Sequence, residues 1–192
     1  MASGPEGKAM STAILSDCGT YRYMLDRDII GIPCTPDWDS VRLHAKEHKP
    51  CLFVMLNPST ADASLDDPTI RRCMGFARRE LCTFLTVVNL FSYRATDPDD
   101  LVAAHRRGVD VWGPDNYTHC QRELRRHNVS LGHLIIVAWG AHPMAKVGTH
   151  HMREAYQNCG AMCLGMTKDG EPRHPLYLKS DAPLIPWKAS EE

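Results

Sequence analysis

Four continuous apolar runs limit what this chain can fold into: CLFVML (51–56), TFLTVVN (83–89), LIIVAW (134–139) and the weaker AMCLGM (161–166). Runs of this length, without a regular polar alternation, suit strands covered on both faces, as in a parallel sheet. The intervals between them are long enough for helical crossovers. The first interval shows its helix plainly. Asp67 is an N-cap and Pro68 takes the first helical position, and Ile70, Cys73, Met74, Ala77 and Leu81 then recur at helical spacing. Helix-like stretches near 117–127 and 143–157 serve the next two intervals. Upstream, residues 18–32 (CGTYRYMLDRDIIGI) read as a hairpin. The loop CTPDWDS follows, in which Asp39 or Ser40 caps a short helix through Ala45 and Glu47. The predicted architecture is α/β: a three-layer α/β/α sandwich with a central four-stranded parallel sheet, plus an N-terminal β-hairpin.

Composition sets the class. The 192 residues fit one domain, read as a flexible tail over 1–10 and a single domain over 11–192. A formal net charge of −1 excludes a histone-like basic coat but leaves room for a local phosphate-binding patch. No signal peptide or membrane-length apolar run is visible, so a cytoplasmic location is expected. The eight cysteines contain no CxxC pair, and several sit inside apolar runs as small hydrophobes. Their spacing matches no standard iron–sulfur or zinc pattern, and neither metal nor cofactor is expected.

Open parallel sheets bind ligands beyond the carboxyl ends of their strands, so polar residues there are informative. The first run ends in Asn57-Pro58-Ser59-Thr60-Ala61-Asp62, and the second in Asn89, followed by Phe91, Tyr93 and Arg94. The third ends in Trp139-Gly140-Ala141, and the fourth leads into Arg173-His174-Pro175-Leu176-Tyr177-Leu178. Singly, each has an ordinary use: asparagines close turns, a loop histidine is common, and Phe91 and Tyr93 suit a core. Jointly they converge on one cleft.

These residues resemble the uracil-DNA glycosylase superfamily. Leu56-Asn57-Pro58-Ser59 resembles the asparagine-proline form of its water-handling motif. Asn89 resembles the asparagine that reads a pyrimidine edge, Trp139-Gly140 resembles its strand-end glycine, and His174-Pro175 with Leu178 matches its last motif. More closely, LNPSTAD, DDPTIRR, VNLFSYRATDP and PRHPLYL resemble a widespread bacterial and phage family known as a domain of unknown function. The chain departs from the best-known uracil enzymes at three points. Asn57 stands where they carry a catalytic aspartate, small Ser59 and Thr60 stand where a tyrosine blocks the pyrimidine C5 position, and Leu176 replaces a serine.

The resemblance implies a uracil-DNA-glycosylase-like domain and a monomeric, monofunctional glycosylase acting on DNA. Its base would be flipped into the cleft and its product would be an abasic site. Asn57 would hold the attacking water, Asp62 is the preferred base over Asp66 and Asp67, and His174 would donate to the leaving base. Ser59, Thr60, Asn89, Phe91 and Tyr93 would contact the base. Arg71, Arg72, Arg94, Arg173, Tyr177 and Leu178 would contact DNA, Leu178 as the wedge. The open C5 side points to a bulky modified cytosine, such as the hydroxymethylated or glucosylated base of some phage genomes, and so to antiviral defence. The rival readings are uracil or mismatch repair, a hydrolase or transferase of free nucleosides or nucleotides, and a non-catalytic nucleic-acid-binding module.

Overall fold

The apolar runs do become neighbouring strands. The computed structural model describes residues 11–29, 49–59, 61–62, 64–156 and 159–188. The predicted tail, the short helix after Asp39, Cys34 and Thr60 lie outside the described residues. Strands β3 (Pro50–Met55), β4 (Phe84–Asn89), β5 (Leu134–Val137) and β6 (Met162–Cys163) run parallel in the spatial order β4-β3-β5-β6. The expected four-stranded sheet is extended on both sides. Strands β1 (Ser11–Leu15) and β2 (Arg22–Asp28) form a hairpin that joins β4 through antiparallel β2. Strand β7 (Ile185–Pro186) pairs antiparallel with β6. The result is a seven-stranded mixed sheet rather than four strands with a separate hairpin. The hairpin also begins earlier than the sequence suggested, with its turn at Asp17–Thr20, where Gly19 takes a positive φ of 70°.

Among the described residues, four helices connect these strands. Helix α1 (Pro68–Arg79) starts as expected, with the Asp67 carboxylate accepting from the Ile70 N–H and Pro68 in the first turn. Helix α2 (Pro98–Arg106) repeats the device with Asp97 and Pro98, and the sequence reading had passed it over. Helices α3 (Asn116–Arg126) and α4 (Met144–Tyr156) complete the set.

Strand alternation divides the apolar residues into two cores. Leu52, Val54 and Leu56 join Leu101 of α2, Cys120 of α3 and Met152 of α4. Cys51, Phe53 and Met55 join Ile70, Phe76 and Ala77 of α1. Phe53 is fully buried beneath α1, so truncating it to alanine should destabilise the domain by about 3–5 kcal/mol. The carboxyl ends of β3, β4 and β5 and the N-terminus of α1 meet at one corner of the sheet.

Candidate functional site

A cavity of about 280 Å³ opens at that corner, near the lower end of the usual range for small-molecule sites. Asn57, Ser59, Asn89 and His174 all line it, as expected from the strand ends. Asp67 and Trp139 line it too, and the structure adds Arg22 and His142 to its wall.

Asn89 is the last residue of β4 and shares the sheet face of Leu85 and Val87, which is the α1 face. Helix α3 holds it from behind: Asn116 Nδ2 and Cys120 Sγ both donate to the Asn89 main-chain carbonyl, at 3.1 and 3.4 Å. Its side chain is 1 % exposed, and neither Oδ1 nor Nδ2 has a partner among the described residues. A buried amide normally satisfies both ends. Here a donor and an acceptor sit side by side on the cavity wall.

His174 is placed by its neighbours. The Leu176 N–H donates to Nδ1 at 3.3 Å, capping the 3₁₀ turn Pro175–Tyr177. In the neutral ring the proton then sits on Nε2. Burial lowers the imidazole pKa, although Asp67 partly counters it, so the neutral form prevails at neutral pH. Gly140 lets the histidine approach: its φ is +82°, and a Cβ there would meet His174 Cβ at 3.2 Å. Asn57 Nδ2 donates to the carbonyls of Ala95 (2.9 Å) and Pro58 (3.2 Å), which fixes the orientation of its side-chain oxygen.

The acidic candidates separate cleanly. Asp62 does not line the cavity; its Oδ1 instead accepts from Ser64 N, Ser64 Oγ and Leu65 N, and these bonds hold its pKa low. Asp66 pairs with Arg27 at 2.6 Å. Asp67 does line the cavity, accepting from Ile70 N through Oδ1 and from the Ser59 hydroxyl through Oδ2. Of the three, Asp67 shares the cavity with Asn57, whereas Asp62, the residue preferred from the sequence, does not line it. The turn after Asn57 carries Asp62 away while α1 brings its own cap back.

Other contacts are also reassigned. Phe91 is fully buried in the core with α2–α4 and packs on Trp112 at 5.4 Å, away from the cavity. Tyr93 does not line the cavity either, and lies edge-on to Tyr21. Leu178 is half-buried against the α1 core, whereas Tyr177 lines the cavity and is 83 % exposed. Arg72 donates to the Leu178 carbonyl and braces this segment from α1. Arg71 donates to the Asp66 carbonyl, Arg94 to that of Gly19 and Arg173 to that of Met166. Arg173 is the exposed one at the last motif.

Among the described residues, no three His, Cys, Asp or Glu side chains are grouped to hold a metal ion, and no helix is long and apolar enough to cross a membrane. Sequence reasoning missed Arg22 because β2 reaches the cavity only through long-range pairing with β4. It missed His142 because this residue follows the third strand as a simple helix cap, its Nδ1 accepting from Met144 N at 3.2 Å.

A family model described as Protein of unknown function (DUF1643) matches residues 22–176. The chain belongs to the DUF1643 family. The matched stretch begins at Arg22 and ends at Leu176, so it holds every cavity-lining residue except Tyr177. No curated protein and no solved structure matches the chain. The wall offers a paired donor and acceptor (Asn89), a neutral imidazole donor (His174), an oriented amide oxygen (Asn57) and a carboxylate (Asp67).

Proposed function

We propose that this DUF1643 protein is a monofunctional DNA glycosylase on a three-layer, uracil-DNA-glycosylase-like α/β/α domain. The observation that carries the reading is the buried, unpartnered amide of Asn89 in a cavity that also holds a neutral histidine. An amide reads a pyrimidine edge with one donor and one acceptor. Cleaving the glycosidic bond builds negative charge on the departing base and positive charge on the sugar. His174 Nε2–H donates to the base oxygen, in the manner of an oxyanion hole. Asn57 Oδ1 accepts from the attacking water, and Asp67 stabilises the sugar cation and takes the water's proton. Among the described residues no lysine lines the cavity to form a Schiff base, so the expected product is an abasic site without strand cleavage.

The substrate assigned to this site is a C5-modified cytosine, because the wall residue Ser59 is small and its hydroxyl is turned onto Asp67. Removal of such a base from phage DNA would be a defence activity, carried out in the cytoplasm. The deciding experiment is incubation with matched duplexes carrying uracil, cytosine, 5-methyl-, 5-hydroxymethyl- and glucosylated cytosine. Released base and alkali-labile sites are measured. Alkali-dependent breaks at the modified cytosines support the reading, and faster release of uracil than of every modified cytosine overturns the substrate assignment.

One observation favours a second reading, hydrolysis of free nucleosides or nucleotides. Arg71, Arg72, Arg94 and Arg173 each donate to a main-chain carbonyl, so fewer of their donors are left for a phosphate track. Turnover of the free deoxynucleoside at a rate matching the duplex would select that reading.

A further inference from the structure

Arg22 is a cation in an unusual place. It is 2 % exposed, yet it lines the cavity. Nη1 donates to the Ala61 carbonyl at 2.5 Å, and Nε has no partner among the described residues. None of the ion pairs among the described residues includes it. Asp67 and Asp62 attract it electrostatically, but neither forms an ion pair with it among the described residues. Arg94 and Arg27 repel it. Burial lowers its pKa only to about 10, so it stays charged at neutral pH. A guanidinium has five donors and no acceptor, so the partner that suits Nε is an acceptor atom, such as an oxygen. A ladder strand has no need of such a residue, and an apolar side chain would fill the space without an unmet donor.

We infer that Arg22 is a specificity-determining residue that binds an acceptor oxygen on the C5 substituent of the substrate base. The assignment rests on the glycosylase reading above. Within that reading Asn89 serves the base edge and His174 the carbonyl that gains charge, so the ring has no further oxygen for Arg22. The substituent supplies one. A hydroxymethyl, glycosyl or carboxyl group carries an acceptor, whereas hydrogen and methyl carry none. Arg22 reaches the site because antiparallel β2 begins beside the carboxyl end of β4, with its main-chain N–H donating to the Ser92 carbonyl at 2.9 Å. The pocket thus draws its chemistry from the hairpin as well as from the strand-end loops.

The test compares duplexes identical except at C5 of one cytosine: hydrogen, methyl, hydroxymethyl or carboxyl. Wild type should release the hydroxymethyl or carboxyl base about ten- to a hundredfold faster than the methyl base, as for a hydrogen bond to a charged group. The two oxygenated arms separate a neutral partner from an anionic one. In Arg22→Met the ratio of oxygenated to methyl should fall to near one, and Arg22→Lys should restore part of it. Equal rates on methyl and oxygenated bases in wild type, or an unchanged ratio in Arg22→Met, overturn the inference.

A second measurement keeps the two readings apart. Trp139 lines the cavity, so binding of the free bases is followed by quenching of its fluorescence. Arg22-dependent quenching by 5-carboxylcytosine over 5-methylcytosine, with no base released from any duplex, would retain the Arg22 site and overturn the glycosylase. Base release that ignores both the substituent and Arg22 would do the reverse. If Arg22→Met fails to fold, discrimination among the free bases by wild type decides, and none there overturns the inference.

Discussion

Two clusters of buried polar side chains in this molecule differ in how far the protein itself supplies their partners. On α3, Glu123 is fully buried and its Oε1 accepts from Arg122 and Arg126, each at 3.0 Å. His127 follows one turn on, its Nδ1 against the Glu123 carbonyl at 2.8 Å. Here the protein supplies the charge partners of the buried carboxylate itself, although Glu123 Oε2 has no hydrogen-bond partner among the described residues. At the cavity, Asn89 is equally buried, and among the described residues neither of its amide atoms nor Arg22 Nε has a partner. Buried polar groups that are matched stabilise or orient the fold, while unmatched ones cost stability and await a partner. The first cluster is architecture, and the second has the character of a binding site.

The sharpest way to break this comparison is to cut the cavity groups. His174→Ala and Asp67→Asn should each lose about 10²–10³ in rate, as for removal of a transition-state contact. Thermal stability should stay close to wild type, since asparagine still caps α1. Near-full activity in both variants would show that the cavity is not the reaction centre.

Cutting the matched cluster should do the opposite. Glu123→Ala should lose about 3 kcal/mol of stability, the low end for breaking a buried pair, because both arginines are more than a third exposed and can turn to water. The denaturant midpoint measures it. A selective loss of rate with unchanged stability would contradict the contrast.

Acid should act on the α3 side first. Burial pushes the His127 imidazole down to about 3, against about 6.5 in the unfolded chain. Its contribution is therefore present above pH ~6.5 and is lost as the pH falls from there toward its folded value. Asp26, buried at the β2–β4 joint, opposes this. Its carboxyl is pushed up to about 6 by burial, so folding gains stability as the pH falls through about 6 toward 4. Asp26→Asn should steepen the acid loss, seen as a larger drop in denaturant midpoint between pH 7 and 4.5. An identical pH profile would refute the assignment.

The mouth offers a smaller test. Tyr177→Ala should slow base release from duplex about tenfold, one lost stacking contact, with little change in stability. Leu178→Ala should cost about 1–2 kcal/mol of stability through lost packing on the α1 core. A reversed outcome would assign the wedge to Leu178. The smallest expected effect is that of Asp62→Ala, whose rate should stay within about twofold of wild type because the carboxylate serves only its own exposed turn.

The sequence by itself determined the parallel core. Residues 51–56 and 134–139 are apolar on both faces, and that pattern has few solutions other than covered strands. It also placed Asn57, Asn89 and His174 near one another, since strand ends and ligand sites coincide in such sheets. Helix α2 was legible too, because Asp97-Pro98 repeats the cap of Asp67-Pro68, but its short apolar stripe is weak. Tertiary structure alone decided the rest. Whether Asp62 or Asp67 faces the cavity depends on how the chain turns between β3 and α1, which no local spacing encodes. Phe91 and Asn89 differ by two residues, yet the strand has ended between them and the alternation no longer holds. Arg22 lies far from every motif in sequence and reaches the cavity only because β2 pairs antiparallel with β4. Periodicity is a local property that a sequence displays directly, whereas the partner a strand chooses and the path of a turn are set by the free energy of the whole assembled core.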